Sequence, residues 1–204
     1  MPNIAPRVMV YPGDALAPAV EPGWVALPLL PQESGCPVVF GDGSHATTRL
    51  CAAAVDLLCR QRQPGAVLDV GTGSGVLARI ARARGARFIV GTDIDPAALA
   101  SARAHAVLDG SEVDIHFSAD RPDHWGARFD LVVANILEAP LRSLARALAD
   151  ALRPDGVLLL SGFTRMQMPA LRLVYENLGL IYVRHSGLDE WTLLTFTRAG
   201  TARN

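Results

Sequence analysis

The 204-residue sequence predicts an α/β fold: a mostly parallel seven-stranded sheet with helices on both faces and an antiparallel last strand. Three observations carry this. Apolar strand-like runs alternate with helix-like segments from residue 46 onward, the order that builds parallel βαβ units. The runs are almost continuously apolar, as strands buried on both faces are. The last two runs have no helix between them, and so short a connection joins only antiparallel neighbours.

The elements follow in order. Thr47 or Thr48 can cap a first helix that extends to about Arg60, with Leu50, Ala54, Leu57 and Leu58 on one face. Strand-like runs cover 66–70, 88–92, 113–117, 129–134, 157–161, 180–185 and 191–198. Helices are predicted at 75–84, 96–108, 139–152 and 168–178. Asp95 before Pro96 is a favourable helix start, because proline fits the first turn and the acid can cap it. Residues 1–40 differ: more than half of the fourteen prolines lie there, among them Pro2, Pro6, Pro12, Pro18, Pro22 and Pro28. Proline removes ladder donors, so this stretch reads as an extended arm whose only strand candidates are 8–11 and 24–27. The expected organisation is an arm, 1–40, followed by one domain, 41–204.

Composition narrows the function. The formal net charge is −1, which gives no general pull toward nucleic acid or an anionic membrane, and neither partner is expected. All 19 basic residues are arginine. Walker-type phosphate loops and lysine Schiff-base chemistry are thereby excluded. Arg79, Arg82, Arg84, Arg87 and Arg103 read as a solvated face. Three cysteines, Cys36, Cys51 and Cys59, lack metal-ligand spacing and suit reduced thiols, the last two packed in a core. No metal site is expected; His105, His116, His124 and His185 show no ligand spacing. With no signal segment and no apolar run near ~18 residues, the reading is a cytoplasmic protein.

The chemistry concentrates at Val67-Leu-Asp-Val-Gly-Thr-Gly-Ser-Gly75, followed by Gly91-Thr-Asp-Ile-Asp95. Alternating glycines after a strand allow a tight turn and a close ligand approach. Asp93, ending the next strand, is placed to accept from a ribose diol. Gly73-Ser-Gly-Val-Leu-Ala78 fits a dinucleotide fingerprint, but the strand ends near Val70, too early for that frame. Asp69 would also repel a pyrophosphate, whereas it suits the ammonium of S-adenosylmethionine (SAM).

The pattern resembles motif I of the class I methyltransferases, which have a Rossmann-like fold. That resemblance assigns Asp69, Gly71, Gly73, Gly75 and Asp93 to the cofactor. Two further segments, Phe40-Gly-Asp-Gly-Ser-His-Ala-Thr-Thr-Arg-Leu-Cys51 and Val132-Val-Ala-Asn-Ile-Leu-Glu-Ala-Pro-Leu141, are similar to the PrmA family, as is Pro154-Asp-Gly-Val-Leu-Leu-Leu-Ser-Gly162. That family methylates amino groups of the ribosomal stalk-base protein, large-subunit protein eleven. The resemblance spans about residues 38–198 and implies that Thr48, Gly71, Asp93 and Asn135 bind SAM. Asn135, at the carboxyl end of a strand, can also accept from an incoming amine and aim its lone pair. His45 is the best general-base candidate, although a loop-stabilising role suits it equally. Glu138 can orient an ammonium or cap the following helix. Asp42 replaces a family threonine, and the family's amino-terminal docking domain has no counterpart here. Two acceptor classes therefore stay open, a protein amino group or a small amine, hydroxyl or thiol. A non-catalytic SAM-binding domain is the third reading.

Overall fold

A computed structural model describes residues 3–30 and 41–200; Cys36, Phe40 and the rest of 31–40 lie outside it. Among the described residues, seven strands form one sheet in the order β6-β5-β4-β7-β8-β10-β9. They are β4 (Ala66–Val70), β5 (Phe88–Thr92), β6 (Ile115–Ser118), β7 (Phe129–Asn135), β8 (Leu152–Thr164), β9 (Leu180–Leu188) and β10 (Trp191–Arg198). The pairs from β6 across to β8 are parallel. β10 lies between β8 and β9 and is antiparallel to both, so the last strand is the one that runs against the sheet.

The sheet's two apolar faces each acquire a helical cover. On one face α1 (Ala46–Arg62), α2 (Val76–Ala83) and α3 (Pro96–Leu108) enclose a core containing Val67, Ile80, Leu131 and Leu159. On the other, α4 (Glu138–Ser143), α5 (Ala145–Ala151) and α6 (Met168–Glu176) pack over Leu68, Phe129, Phe163 and Phe196. Adjacent strand residues thus serve opposite cores, as the two-residue period of a strand requires. Asp95 caps α3 by accepting from the Ala97 N–H, with Pro96 in the first turn, as expected.

Several boundaries differ from expectation for physical reasons. The cap of α1 is His45, two residues before Thr47 and three before Thr48: its ring nitrogen accepts from the Thr47 N–H. The buried stripe of α1 is Cys51, Ala52, Val55, Asp56 and Cys59 rather than the leucines, whose larger side chains lie at its margin. Small residues let the helix approach the sheet closely. The helix expected at 139–152 is broken at Leu144, where the Ser143 hydroxyl donates to the Pro140 carbonyl and competes for that acceptor. The strand expected at 113–117 begins later, and Val113 is exposed.

The amino-terminal residues form a small sheet of β1 (Asn3–Ala5), β2 (Val8–Pro12) and β3 (Val25–Leu29), with β1 unanticipated. Ile4, Val8, Val10, Val25 and Leu27 belong to the α1–α3 core, so this sheet packs on the main one through its helices. Arginines pin it there. The Arg79 side chain is buried, bonds Asp109 at 2.8 Å and donates to the Pro28 carbonyl at 2.7 Å. Arg84 bonds Asp56 and donates to the Gly23 carbonyl. Two of the five arginines read as a solvated face are therefore struts, Arg79 buried and Arg84 partly so, because each finds a carboxylate to neutralise it.

Candidate functional site

The order of the parallel strands reverses at β4, since β5 and β6 extend to one side of it and β7 and β8 to the other. Ligands of open α/β sheets gather outside the carboxyl ends of strands at such a point. A cleft of about 650 Å³ lies there, within the ~300–1,000 Å³ common for small-molecule sites. Its walls come from the ends of β4, β5, β7, β8 and β10 and from the start of α1. Gly71, Gly73, Asp93, Asn135 and His45 all line it. Thr48, Asp69 and Gly75, expected beside them, do not.

The glycine turn explains the division. Gly71 has φ +71°, and a Cβ there would sit 2.1 Å from Cγ2 of Ile136, so the turn closes against β7's exit only without a side chain. Gly71 and Thr72 donate to the Thr92 carbonyl, which ties the ends of β4 and β5 together. Asp93 completes that tie. Its Oδ2 accepts from Gly73 N and its Oδ1 from Asp95 N, both at 3.0 Å. Each oxygen can accept further, and the side chain is half-buried at the cleft wall, so it fits a ribose diol.

Asp69 faces the other way. Its carboxylate is fully buried; Oδ2 accepts from the Thr72 hydroxyl at 2.7 Å and from Ala78 N at 3.3 Å, at the start of α2. Burial pushes its pKa up to about 7, outweighing those bonds, and the nearby Asp93 adds to the rise. This carboxylate, expected beside the cofactor, lies buried under α2 and outside the lining of the cleft. Thr48 is also buried, with its hydroxyl unpartnered among the described residues, while Thr47 lines the cleft. One helix position turns the side chain by about 100°, which separates the two.

Asn135 ends β7, paired with Ser161 of β8. Its Oδ1 is buried and has no hydrogen-bond partner among the described residues, an unused acceptor in the cleft wall. His45 Nδ1 lies 2.8 Å from the Thr47 hydroxyl, and its ring meets Trp191 edge-on at 4.8 Å. That nitrogen is engaged in starting α1. Glu138 is outside the lining and pairs with Arg142 along α4, and Asp42 accepts from Ser44. The Cys51 thiol is pushed above its ordinary pKa by burial and by Asp69, so it stays protonated.

Sequence reasoning missed Trp191 and Gly162 as lining residues. Trp191 arrives because β10 folds back beside β8, which no local pattern specifies. Gly162 follows the strand expected at 157–161 and falls inside β8 only because that strand runs on to Thr164, where a glycine marks close backbone approach. Its φ is +96°, and a Cβ would lie 2.2 Å from the Ile136 carbonyl oxygen. Among the described residues no group of histidine, cysteine or acidic side chains could hold a metal ion, and no helix is long and apolar enough to cross a membrane.

Comparison with known proteins agrees with this geometry. The family model for ribosomal protein L11 methyltransferase (PrmA) matches residues 30–199. A ribosomal protein L11 methyltransferase of Burkholderia multivorans is 40% identical over 199 residues, covering 96% of this chain and 61% of the relative. That of Hydrogenovibrio crunogenus is 36% identical over 167 residues, covering 81% and 54%. The chain thus spans little more than half the length of these relatives. A crystal structure of a ribosomal protein L11 methylase from Lactobacillus delbrueckii subsp. bulgaricus superposes with a TM-score of 0.84 at 28% identity, covering 97% of both chains. The N-methyltransferase NodS of Bradyrhizobium japonicum, in complex with S-adenosylhomocysteine, shares only the fold: its TM-score is 0.59 at 14% identity. On the match over most of its length, and on the cleft built from the same motifs, the chain belongs to the ribosomal protein L11 methyltransferase (PrmA) family.

Proposed function

We propose that this chain is a SAM-dependent methyltransferase that N-methylates an amino group of a protein, with ribosomal protein L11 the acceptor its relatives' names point to. The observation that carries the reading is the pairing in one cleft of Asp93, with spare acceptor capacity, and Asn135, with an unused buried acceptor. Asp93 would hold the ribose and the Gly71–Gly73 turn would admit the cofactor against backbone.

Bound SAM supplies an electrophilic methyl on a sulfonium. The chain's own residues have three tasks. Asn135 Oδ1 accepts an N–H of the incoming amine, which turns the nitrogen lone pair toward the reacting carbon. Ile136, Leu137, Pro140 and Leu144 line the same wall and exclude water. That desolvation lowers the amine's pKa from ~10.4 and favours the neutral nucleophile. His45 fixes the loop at the start of α1, and its ring packs edge-on against Trp191, which also lines the cleft. Orientation of this kind can supply about 7–11 kcal/mol of the barrier, so the reading requires no dedicated base. Asp95 and Asp120 also line the cleft, against one basic residue, Arg121, which suits a cationic acceptor. The proposed location is the cytoplasm, where a ribosomal protein would be met.

The test is transfer of a labelled methyl group from SAM to purified ribosomal protein L11 and to a cell extract split into protein and small-molecule fractions. Label in L11 is expected, and Asn135→Ala should slow it by about 100-fold, the cost of a misplaced nucleophile. Label confined to the small-molecule fraction would move the acceptor to a metabolite. Binding of NADH without SAM would sink the reading.

A further inference from the structure

The opposite end of the same strands carries an open groove of about 640 Å³, lined by Arg87, Phe88, Trp125, Arg128 and Arg153. Arg87 precedes and Phe88 opens β5, Trp125 and Arg128 precede β7, and Arg153 lies at the start of β8, so the groove sits at the amino ends of the parallel strands. Arg153 is held by Asp130 at 3.0 Å and by the Arg128 carbonyl at 2.7 Å. Arg87 and Arg128 are exposed and make no ion pair among the described residues. Other arginines in or next to α2 and α3 are spoken for: Arg82 by Asp114, Arg84 by Asp56, Arg103 by the Phe117 carbonyl.

The aromatic residues give this positive groove a flat surface. Phe129 and Phe88 stack at 5.9 Å with an interplanar angle of 17°. The Arg128 guanidinium lies 6.0 Å over the Phe88 ring, so it forms the outer plate of a three-layer stack. Trp125 meets Phe88 edge-on at 6.5 Å and is flanked by His116 and His124, each at 5.3 Å. Its indole Nε1 is buried and has no acceptor among the described residues. A buried N–H without a partner costs free energy, and it marks where an acceptor is wanted.

We propose that this groove binds a single strand of nucleic acid. Arg87 and Arg128 hold phosphates while Arg153, paired with Asp130, braces the Arg128 backbone, and a base stacks on the Arg128–Phe88 plate beside Trp125. Proteins that bind single strands combine a basic groove with aromatic and arginine stacking platforms in this way. The chain's net charge of −1 does not oppose it, because at physiological salt a charge is felt only over about 8 Å. An acidic protein segment would satisfy the arginines but leave the stacking plate unused. The groove and the cleft lie at opposite ends of the strands, so the proposal stands apart from the methyltransferase reading.

The test is fluorescence anisotropy of the full chain with a labelled oligouridylate of roughly twelve residues, a length within the site sizes of single-strand binders. Saturable binding is expected, weakening about sevenfold between 50 and 200 mM salt if two phosphates are held. R87E/R128E should lose at least about tenfold in affinity while the thermal midpoint falls only slightly, since these side chains make no ion pairs and Arg128 loses only its contact with Phe88. R87Q/R128Q, which removes charge without reversing it, should lose several-fold. An abasic strand of equal charge should bind more weakly than the oligouridylate. No saturable binding at 50 mM salt, or binding unmoved in both double variants, overturns the proposal. So does competition by polyglutamate as strong as by oligouridylate, which would assign the groove to an acidic protein.

Discussion

The strands β4 and β5 lie side by side, and each ends near an acid that braces the same glycine turn. Asp69 bonds the Thr72 hydroxyl and Ala78 N, inside the protein; Asp93 bonds Gly73 N and Asp95 N, at the cleft. Both accept two hydrogen bonds, yet Asp69 is fully removed from water, and that burial raises its pKa to about 7, while Asp93 stays half-exposed at the cleft. The difference teaches that the hydrogen-bond count does not decide what a carboxylate does. Access to water does: Asp69 stabilises a turn, and Asp93 keeps acceptor capacity for a ligand.

The largest way to break this comparison is through pH. A carboxyl whose folded pKa exceeds its unfolded value of 3.8 binds its proton more tightly in the native state. Its contribution to stability is therefore full below about pH 3.8 and is lost as pH rises toward 7. At ~1.4 kcal/mol per unit, the loss across the window approaches about 4 kcal/mol as an upper bound. Asp69→Asn keeps an acceptor for Thr72 and Ala78 but cannot ionise. Urea unfolding of both proteins at a series of pH values should show the native chain losing stability relative to the variant from pH 4 to 7. Parallel curves would mean that Asp69 is as solvated as Asp93.

Asp93→Ala sharpens the other half. Hydrogen bonds to a charged group contribute about 1.5–3 kcal/mol, so SAM affinity measured by calorimetry should fall roughly 10- to 150-fold. Because Asp93 raises the pKa of Asp69, the same variant should also narrow the pH window just described. A variant that binds SAM normally would remove Asp93 from the cofactor site.

Legibility in the sequence followed the same line between local and tertiary causes. The glycine turn, the places of Asp93 and Asn135 at strand ends and the antiparallel last strand could be read because each rests on spacing within one βα unit or on the length of a connection. Asp69 was legible as an acid beside the turn but not as a buried one. Its burial depends on α2 and on Cys51 of α1, which packs close enough for Asp69 to disturb its thiol. Trp191 was invisible for a related reason, since it reaches the cleft only by pairing with Thr164 at the far end of β8. Arg79 shows the limit most clearly. Helical spacing placed it on a charged face, while the amino-terminal sheet, with Pro28 as its acceptor, turned that face into an interior.

The smallest effect extends the series of acids to the surface. Asp114 pairs with Arg82 at 2.6 Å, shorter than many buried contacts, but the side chains are 38% and 42% exposed. Water already solvates both charges, so their attraction is screened and two long side chains lose freedom to meet. Exposed pairs of this kind contribute about 0.2–1 kcal/mol. Arg82→Ala should therefore shift the urea midpoint only slightly, and the shift should shrink further as salt is raised to about 1 M, where the screening length is ~3 Å. If a short contact distance governed the outcome, this variant would cost as much as losing a buried partner, about 3–5 kcal/mol. A large, salt-insensitive loss would overturn the view that solvent access separates Asp69, Asp93 and Asp114.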